Sequence, residues 1–162
     1  MPLTGLFLFH LAALAYALLG GVFLAFSDFI MRALARTSGS GGAEAMQVIN
    51  VEVFRWVFMA IFLGLAPASL ALAIYSGTML SGAAAGLGIL APALYLIGCF
   101  GVTITKNVPL NETLKEMDTR QTETLTFWQS TYLPNWTFWN SVRTAACLLA
   151  AFTLLAAAAL AA

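Results

Sequence analysis

Long runs of apolar residues alternate with short polar segments along the chain. The runs cover residues 3–27, 53–75, 82–104 and 137–161. Each is long enough to supply the roughly 20 residues with which an α-helix crosses the hydrocarbon core of a bilayer. With the polar residues at their ends included, we predict helical spans over residues 3–35, 44–76, 82–106 and 135–161. The pattern therefore predicts an all-α fold, a four-helix transmembrane bundle that forms one integral membrane domain over residues 1–162.

The segment between the third and fourth runs has a different pattern, with charged residues at helical spacing. A helix over residues 112–129 would place four charged side chains on one side, namely Glu112, Glu116, Arg120 and Glu123. We therefore predict an amphipathic helix on the cytoplasmic membrane surface. Pro109 lacks the backbone N–H that a helix needs, so the third span is predicted to end near Asn107. Asn111 is then the predicted N-cap of the surface helix.

The composition agrees with a membrane protein and excludes several classes of function. Hydrophobic residues make up 61% of the chain and charged residues only 9%, whereas soluble domains carry about 25% charged residues. The mean hydropathy is +0.90. The formal net charge is zero, so no nucleic-acid partner is predicted. The sequence has no motif typical of hydrolases, zinc sites or nucleotide binding, and Cys99 and Cys147 lie within predicted spans, so we predict neither a metal nor a cofactor.

The charged residues all fall at one end of the predicted bundle. If the four spans alternate in direction, every Asp, Glu, Lys and Arg lies in or beside the connections within residues 28–55 and 106–143. We call this end the charged end and the other the opposite end. Basic residues mark the cytoplasmic side of membrane proteins. We therefore expect a multi-pass protein of the bacterial inner membrane, with the charged end in the cytoplasm and both termini outside.

Each predicted span brings polar side chains towards the charged end, namely Asp28, then Gln47 and Asn50, then Asn107, and finally Asn140 and Arg143. Polar groups within a span are costly and usually face the bundle interior. They either bond the helices together or build a binding or catalytic site, and the sequence leaves both open. Trp128 and Trp136 are interpreted as residues of the interfacial aromatic belt, with a cavity lining as the alternative. Small residues over 82–86 predict close helix packing at the opposite end.

Four stretches of the chain form a distinctive combination: GGVFLAFSDFIMRAL (20–34), AMQVIN (45–50), LYLIGCFGVTITKNVPLN (94–111) and WTFWNSVRT (136–144). Together they resemble the anthrone oxygenase-like family of small four-helix membrane proteins, which are mostly bacterial. The resemblance implies a four-helix membrane bundle. For the few members with an assigned role, it also implies cofactor-free oxidation of an anthrone by molecular oxygen to an anthraquinone. The positions that match the family pattern are Gln47, Asn50, Asn107, Pro109, Asn111, Trp139, Asn140 and Arg143.

The chain departs from the family pattern at one position. Many members have a histidine directly after the Trp-Asn pair, where this chain has Ser141. If that imidazole removes the acidic C–H proton of the substrate, Asp28 or Glu52 would have to replace it here. The candidate catalytic residues are therefore Asp28, Asn140 and Arg143.

Two functions follow from these observations. In the first, a polar, aromatic-lined pocket at the cytoplasmic end binds, or oxygenates without a cofactor, a hydrophobic aromatic or quinone-like molecule. The candidate binding residues are Gln47, Asn50, Asn107, Asn111, Trp139, Asn140 and Arg143. In the second, the protein is a non-enzymatic accessory or assembly subunit, and the Ala-rich face of its last helix packs on a larger membrane complex. The lipid bilayer is a partner in both.

Overall fold

A computed structural model describes all 162 residues, and they form α-helices without strands. We number the five helices α1 (Leu3–Leu34), α2 (Gly41–Glu52), α3 (Val57–Met79), α4 (Gly82–Lys115) and α5 (Thr122–Ala161). The four helices α1, α3, α4 and α5 are long and apolar enough to cross a membrane. The predicted fold class, an all-α bundle of four candidate spans, is therefore confirmed, and the chain is a membrane protein.

The helix α5 lies at the centre of the bundle, between α1 and α4, and α3 packs on the outer side of α4. The backbone amino group of Met1 donates a hydrogen bond of 2.6 Å to Ala161 O, so the two termini meet at the opposite end. Small residues let α5 approach α1 closely, and the five alanines buried on α5 are Ala146, Ala150, Ala151, Ala157 and Ala158. The buried part of the Ala-rich face therefore packs inside the chain, and packing of this helix on a larger complex stays a prediction.

Four π-helical turns interrupt the α-helical hydrogen bonding in the half of the bundle nearer the charged end. They are Phe26–Ile30 in α1, Leu96–Gly101 and Thr103–Asn107 in α4, and Trp128–Tyr132 in α5. The turn Thr103–Asn107 directly precedes Pro109, whose ring would clash with a carbonyl of the preceding turn in a regular α-helix. A π turn is wider and leaves room for the ring. The predicted end of the third span near Asn107 is therefore wrong: the helix continues to Lys115, and Asn111 lies inside it.

The predicted second span also differs, because residues 44–76 do not form one helix. The helix α2 ends at Glu52, and α3 begins at Val57 after a break at which Trp56 leaves the helical region (φ −151°, ψ −100°). Glu52 and Arg55, which the predicted span would contain, form an exposed ion pair of 2.9 Å at this break.

The predicted surface helix over residues 112–129 is divided by a turn at residues 116–121. Asp118 forms this turn: its carboxylate accepts hydrogen bonds from the backbone N–H of Arg120 at 3.0 Å and from the Arg120 guanidinium at 3.0 and 2.8 Å. These bonds lower the pKa of Asp118 to about 2. A side chain that bonds the backbone two residues ahead favours a turn over a helix. Residues before the turn extend α4, and residues after it begin α5.

Candidate functional site

A buried arginine lies between α1, α4 and α5 at the charged end of the bundle. The Arg143 side chain is 5% exposed. Its Nη2 donates a hydrogen bond of 2.7 Å to Asn140 Oδ1, and its Nη1 donates one of 3.2 Å to Thr103 Oγ1 on α4. Its Nε is buried without a partner. The arginine therefore has an unused hydrogen-bond donor in a position closed to water.

Aromatic rings, and no carboxylate, surround this guanidinium. Its Cζ lies 4.3 Å from the centre of the Phe23 ring and 5.3 Å from the centre of the Trp136 ring. The four ion pairs of the protein join residues close in sequence on the surface, and Arg143 belongs to none of them. The negative faces of the two rings compensate part of the charge. The site is consequently suited to stabilise a negative charge brought by another molecule.

A chain of hydrogen bonds leads from Arg143 to the surface of the bundle. Asn140 accepts from Arg143 and donates through Nδ2 to Phe23 O and to Ser27 Oγ, both at 2.6 Å. Ser27 Oγ in turn lies 3.0 Å from Ser141 Oγ, which is exposed. The bonds donated by Arg143 and Asn140 point away from the cation and polarise one another, and Ser27 Oγ also accepts the hydrogen bond that Ser141 donates. The chain therefore presents two hydroxyl groups at the surface, supported by a buried positive charge.

A second group of hydrogen bonds lies nearer the cytoplasmic rim predicted from the sequence. Asn111 Oδ1 accepts from Tyr132 OH at 2.8 Å and from Trp136 Nε1 at 2.9 Å, while Asn50 Nδ2 donates to Tyr132 OH at 3.4 Å. Gln47 Nε2 donates to the backbone carbonyls of Leu114 and Met117 at 2.7 and 3.0 Å. The amides Gln47, Asn50 and Asn111 thus bond α2, α4 and α5 together.

Trp136 connects the two groups of hydrogen bonds. Its ring lies on Arg143, its Nε1 binds Asn111, and its backbone carbonyl accepts a hydrogen bond of 3.2 Å from Asn107 Nδ2. Trp136 is buried, as is Trp128, which stacks on Tyr132. The interpretation of Trp128 and Trp136 as interfacial belt residues is therefore wrong. Asn107 Oδ1 is the second buried side-chain atom without a partner.

Three candidates from the sequence lie outside these groups. Trp139 is half-buried on the outer side of α5, where the Lys106 ammonium lies 5.0 Å from its ring centre. Asp28 is exposed and pairs with Arg32 at 2.9 Å, and Glu52 pairs with Arg55.

Sequence reasoning missed two members of the groups, Ser27 and Tyr132. Tyr132 could have been found from its spacing, because residues 132, 136, 140 and 143 fall on one helical face. Nothing in the sequence distinguishes Ser27 from the other serines.

A groove of about 370 Å³ lies between the ends of α1 and α5 that meet at the charged end. The helix α1 contributes Met31 and Arg32, Ala35 lines the groove directly after this helix, and α5 contributes Leu133, Pro134, Thr137, Phe138 and Ser141. Ser141 joins the groove to the chain of hydrogen bonds from Arg143. The volume is within the range of small-molecule sites, and the mixture of apolar walls with a few polar groups is typical of them.

A larger groove of about 560 Å³ lies between α1 and α3 in the membrane-spanning part. Its lining is almost entirely apolar, from Gly5 to Ala15 on α1 and from Ala60 to Tyr75 on α3, and none of the hydrogen-bonding groups described above reaches it. Its size therefore gives no reason to place chemistry there. No three His, Cys, Asp or Glu side chains lie close enough to hold a metal ion.

Comparison with models of known protein families identifies the family of this chain. A family model described as anthrone oxygenase matches residues 51–160, which is more than half of the chain. The match includes five of the candidate site residues, namely Asn107, Asn111, Trp139, Asn140 and Arg143, and it confirms the resemblance drawn from the sequence. No curated protein and no solved structure matches the chain.

Proposed function

The chain belongs to the anthrone oxygenase family, and on this premise we propose that it binds a hydrophobic aromatic molecule of the anthrone type in the groove between α1 and α5. The proposal includes oxidation of this molecule by molecular oxygen without a cofactor. The observation that carries it is the chain of hydrogen bonds from Arg143 through Asn140 to Ser27 and Ser141, because it ends in the groove.

The chemistry needs a negative charge to be stabilised. Removal of a proton from the methylene group of an anthrone gives an enolate, and molecular oxygen then oxidises this anion. In the overall reaction the methylene carbon becomes a ketone, and the second oxygen atom leaves as water with the two hydrogens. The substrate supplies all the electrons. An enolate oxygen at Ser27 would receive a hydrogen bond from a hydroxyl that accepts from Asn140 and is thereby supported by the buried Arg143. Such preorganised donors commonly provide the largest part of a rate enhancement.

The proposal also includes an orientation of the protein in the membrane. We place the charged end in the cytoplasm of a bacterial cell and both termini outside, because all basic residues lie at that end. A hydrophobic substrate could then enter the groove from the membrane or from its cytoplasmic surface.

The test is oxidation of anthrone by the purified protein in detergent, followed by the absorbance of anthraquinone and by oxygen consumption. We expect Asn140→Ala to lower the rate about 100-fold, as expected for loss of an oxyanion donor system. Ser27→Ala, which removes a half-buried hydroxyl, tests the same chain of bonds with less risk to folding. The matched control is Asn135→Ala, because Asn135 is exposed on the same helix and binds only the backbone of Thr131.

Two results would reject the proposal. The first is a wild-type rate equal to the spontaneous oxidation for anthrone and for its ring-substituted derivatives alike. The second is a pair of folded variants, Asn140→Ala and Ser27→Ala, that are as active as Asn135→Ala.

A second function, that of an accessory or assembly subunit of a larger membrane complex, is favoured by a different observation. The helix α3 is the least buried of the four spans. It exposes small residues four positions apart, Ala60, Gly64 and Ala68, beside the groove between α1 and α3. Small residues at this spacing commonly receive a neighbouring helix.

Gly64→Leu should then abolish co-purification of a stoichiometric membrane partner, whereas Gly21→Leu on α1 should not. Both glycines have open space around the position of an added Cβ. Purification of the wild-type chain alone would reject this function.

A further inference from the structure

The groove between α1 and α5 is lined by one charged side chain, and its charge suggests which functional group the substrate carries. Arg32 lines the groove, and no acidic residue does. Its present partner is Asp28, with 2.9 Å between Nη2 and Oδ1. The side chains of Arg32 and Asp28 are 69% and 65% exposed, so this ion pair contributes little to stability. Arg32 can therefore exchange Asp28 for a carboxylate that is held in the groove.

The ion pair with Arg32 places the Asp28 carboxylate beside the groove, although Asp28 is not one of the residues that line it. The two helices run in opposite directions, and Ser27 touches Ser141. Asp28 directly follows Ser27, and Arg32 lies one turn further towards the charged end, facing the earlier residues of α5. A planar molecule in the groove would consequently have its inner edge near Ser27 and Ser141 and its outer edge near Arg32, with the Asp28 carboxylate beside the Arg32 guanidinium.

We propose that the substrate is an aromatic carboxylic acid of the anthrone type, a specification that rests on the function proposed above. Its carboxylate binds the Arg32 guanidinium, and this frees the Asp28 carboxylate to act as the base. In the proton transfer, a methylene C–H bond of the substrate breaks. Its electron pair stays on the ring system as the enolate, and the proton goes to an Oδ atom of Asp28.

The exchange of partners explains how Asp28 can serve as a base. In the ion pair, the bond between Oδ1 and Nη2 holds the Asp28 carboxylate against the Arg32 guanidinium. When the substrate carboxylate takes the guanidinium, Asp28 is released and can turn towards the acidic C–H bond. Binding of the correct substrate and activation of the base then occur in one step, and a substrate without a carboxylate leaves Asp28 paired.

The specificity is tested with two probes, anthrone and an anthrone carboxylic acid. We expect the wild-type protein to have a kcat/KM for the acid about tenfold or more above that for anthrone, as charge-assisted hydrogen bonds commonly give. Arg32→Ala should remove this preference, and Arg32→Lys should restore part of it. Arg36→Ala is the matched control, since Arg36 is exposed in the turn directly after the same helix and does not line the groove.

The role of Asp28 is tested without oxygen. In anaerobic D₂O, transfer of the methylene proton appears as replacement of hydrogen by deuterium, which proton NMR follows. Asp28→Asn should slow this exchange for the acid about 100-fold, within the usual contribution of a general base. The bound acid, measured by fluorescence titration, should retain its affinity within a few-fold, because the pairing with Arg32 does not need Asp28.

The outcomes separate this inference from the function on which it rests. If wild-type protein and Arg32→Ala accelerate the oxidation of both probes equally, the carboxylate specificity is wrong while the proposed function stands. If Asp28→Asn exchanges deuterium at the wild-type rate, Asp28 is not the base. If neither probe is oxidised faster than in the absence of protein, the proposed function itself has failed.

Discussion

Arg143 Nη2 lies 2.7 Å from Asn140 Oδ1, and this buried pair has no carboxylate beside it. The sequence left open whether such residues bond helices together or build a site. The second group of hydrogen bonds joins α2, α4 and α5 with neutral amides, tyrosine and tryptophan alone. Helix association therefore does not require a cation, and burial of an unpaired charge is costly. The charge on Arg143 is better explained by a negative charge that arrives with a ligand.

This interpretation predicts that stability and activity respond differently to Arg143→Met. We expect the free energy of unfolding to change by less than about 2 kcal/mol, because the lost donor to Asn140 is offset by removal of a buried charge. Oxidation of the anthrone-type substrate should fall at least about 100-fold. Thermal unfolding in detergent and the rate of quinone formation measure the two effects.

Arg143→Lys provides the matching comparison. A lysine keeps the buried charge but cannot reproduce the two fixed bonds to Asn140 and Thr103, so this variant should be less stable than Arg143→Met and equally inactive. Full activity in either variant would contradict the interpretation.

Close packing between α3 and α4 gives a second prediction. A Cβ added at Gly88 would overlap Ser76 on α3, whereas Gly86 has open space around the same position. Gly88→Ala should therefore lower the free energy of unfolding by about 1–3 kcal/mol through overpacking. Gly86→Ala should be neutral or stabilising by up to about 1 kcal/mol, the helix-propensity gain over glycine. Equal unfolding temperatures for the two variants would show that the helices are not packed this closely.

The number and approximate position of the spans could be predicted from the sequence, because a helix must have about 20 apolar residues to cross a bilayer. The gathering of Asn107, Asn140 and Arg143 at one end also follows, since alternating spans bring their polar ends together. The contacts could not be predicted in detail. Each π turn adds a residue to one turn of helix and shifts the faces that follow it. Asp28 lies inside such a turn and pairs with Arg32 instead of joining the buried group, and the turn before Pro109 lets α4 continue where a proline predicted its end.

The close packing at the opposite end was predicted from residues 82–86, of which Ala84 alone is buried. The small residues over 82–86 indicated close approach, yet Gly82 has a positive φ of 57° at the turn and Gly86 faces open space. The buried small residues of α4 are Ala84, Gly88 and Ala91. The sequence shows which residues are small. Which of them face the neighbouring helix depends on the residue at which α4 begins, and the sequence does not fix that residue.

The orientation in the membrane is tested by single cysteines at the two ends. Ser38 and Ser81 are exposed in the connections at the charged end and the opposite end, while the native Cys99 and Cys147 are buried. In spheroplasts, a membrane-impermeant maleimide should label Ser81→Cys at once. It should label Ser38→Cys only after permeabilisation, because the basic residues keep that end in the cytoplasm. Labelling of Ser38→Cys in intact spheroplasts would reverse the orientation.

Ser141→His is the most direct test of the departure from the family pattern. Ser141 is exposed in the groove, and a larger side chain there can extend into open space, so the substitution should leave the fold intact. An imidazole beside Ser27 would supply a base close to neutral pH. We expect the rate with anthrone, which cannot free Asp28 from Arg32, to rise by about tenfold or more, at the lower end of what general bases contribute. The combination with Asp28→Asn should keep this gain, because the new base acts without Asp28.

Ser130→His, an exposed substitution on the same helix outside the groove, is the control. A gain of the same size in both variants, or none in Ser141→His, would mean that the groove is not where the proton leaves the substrate.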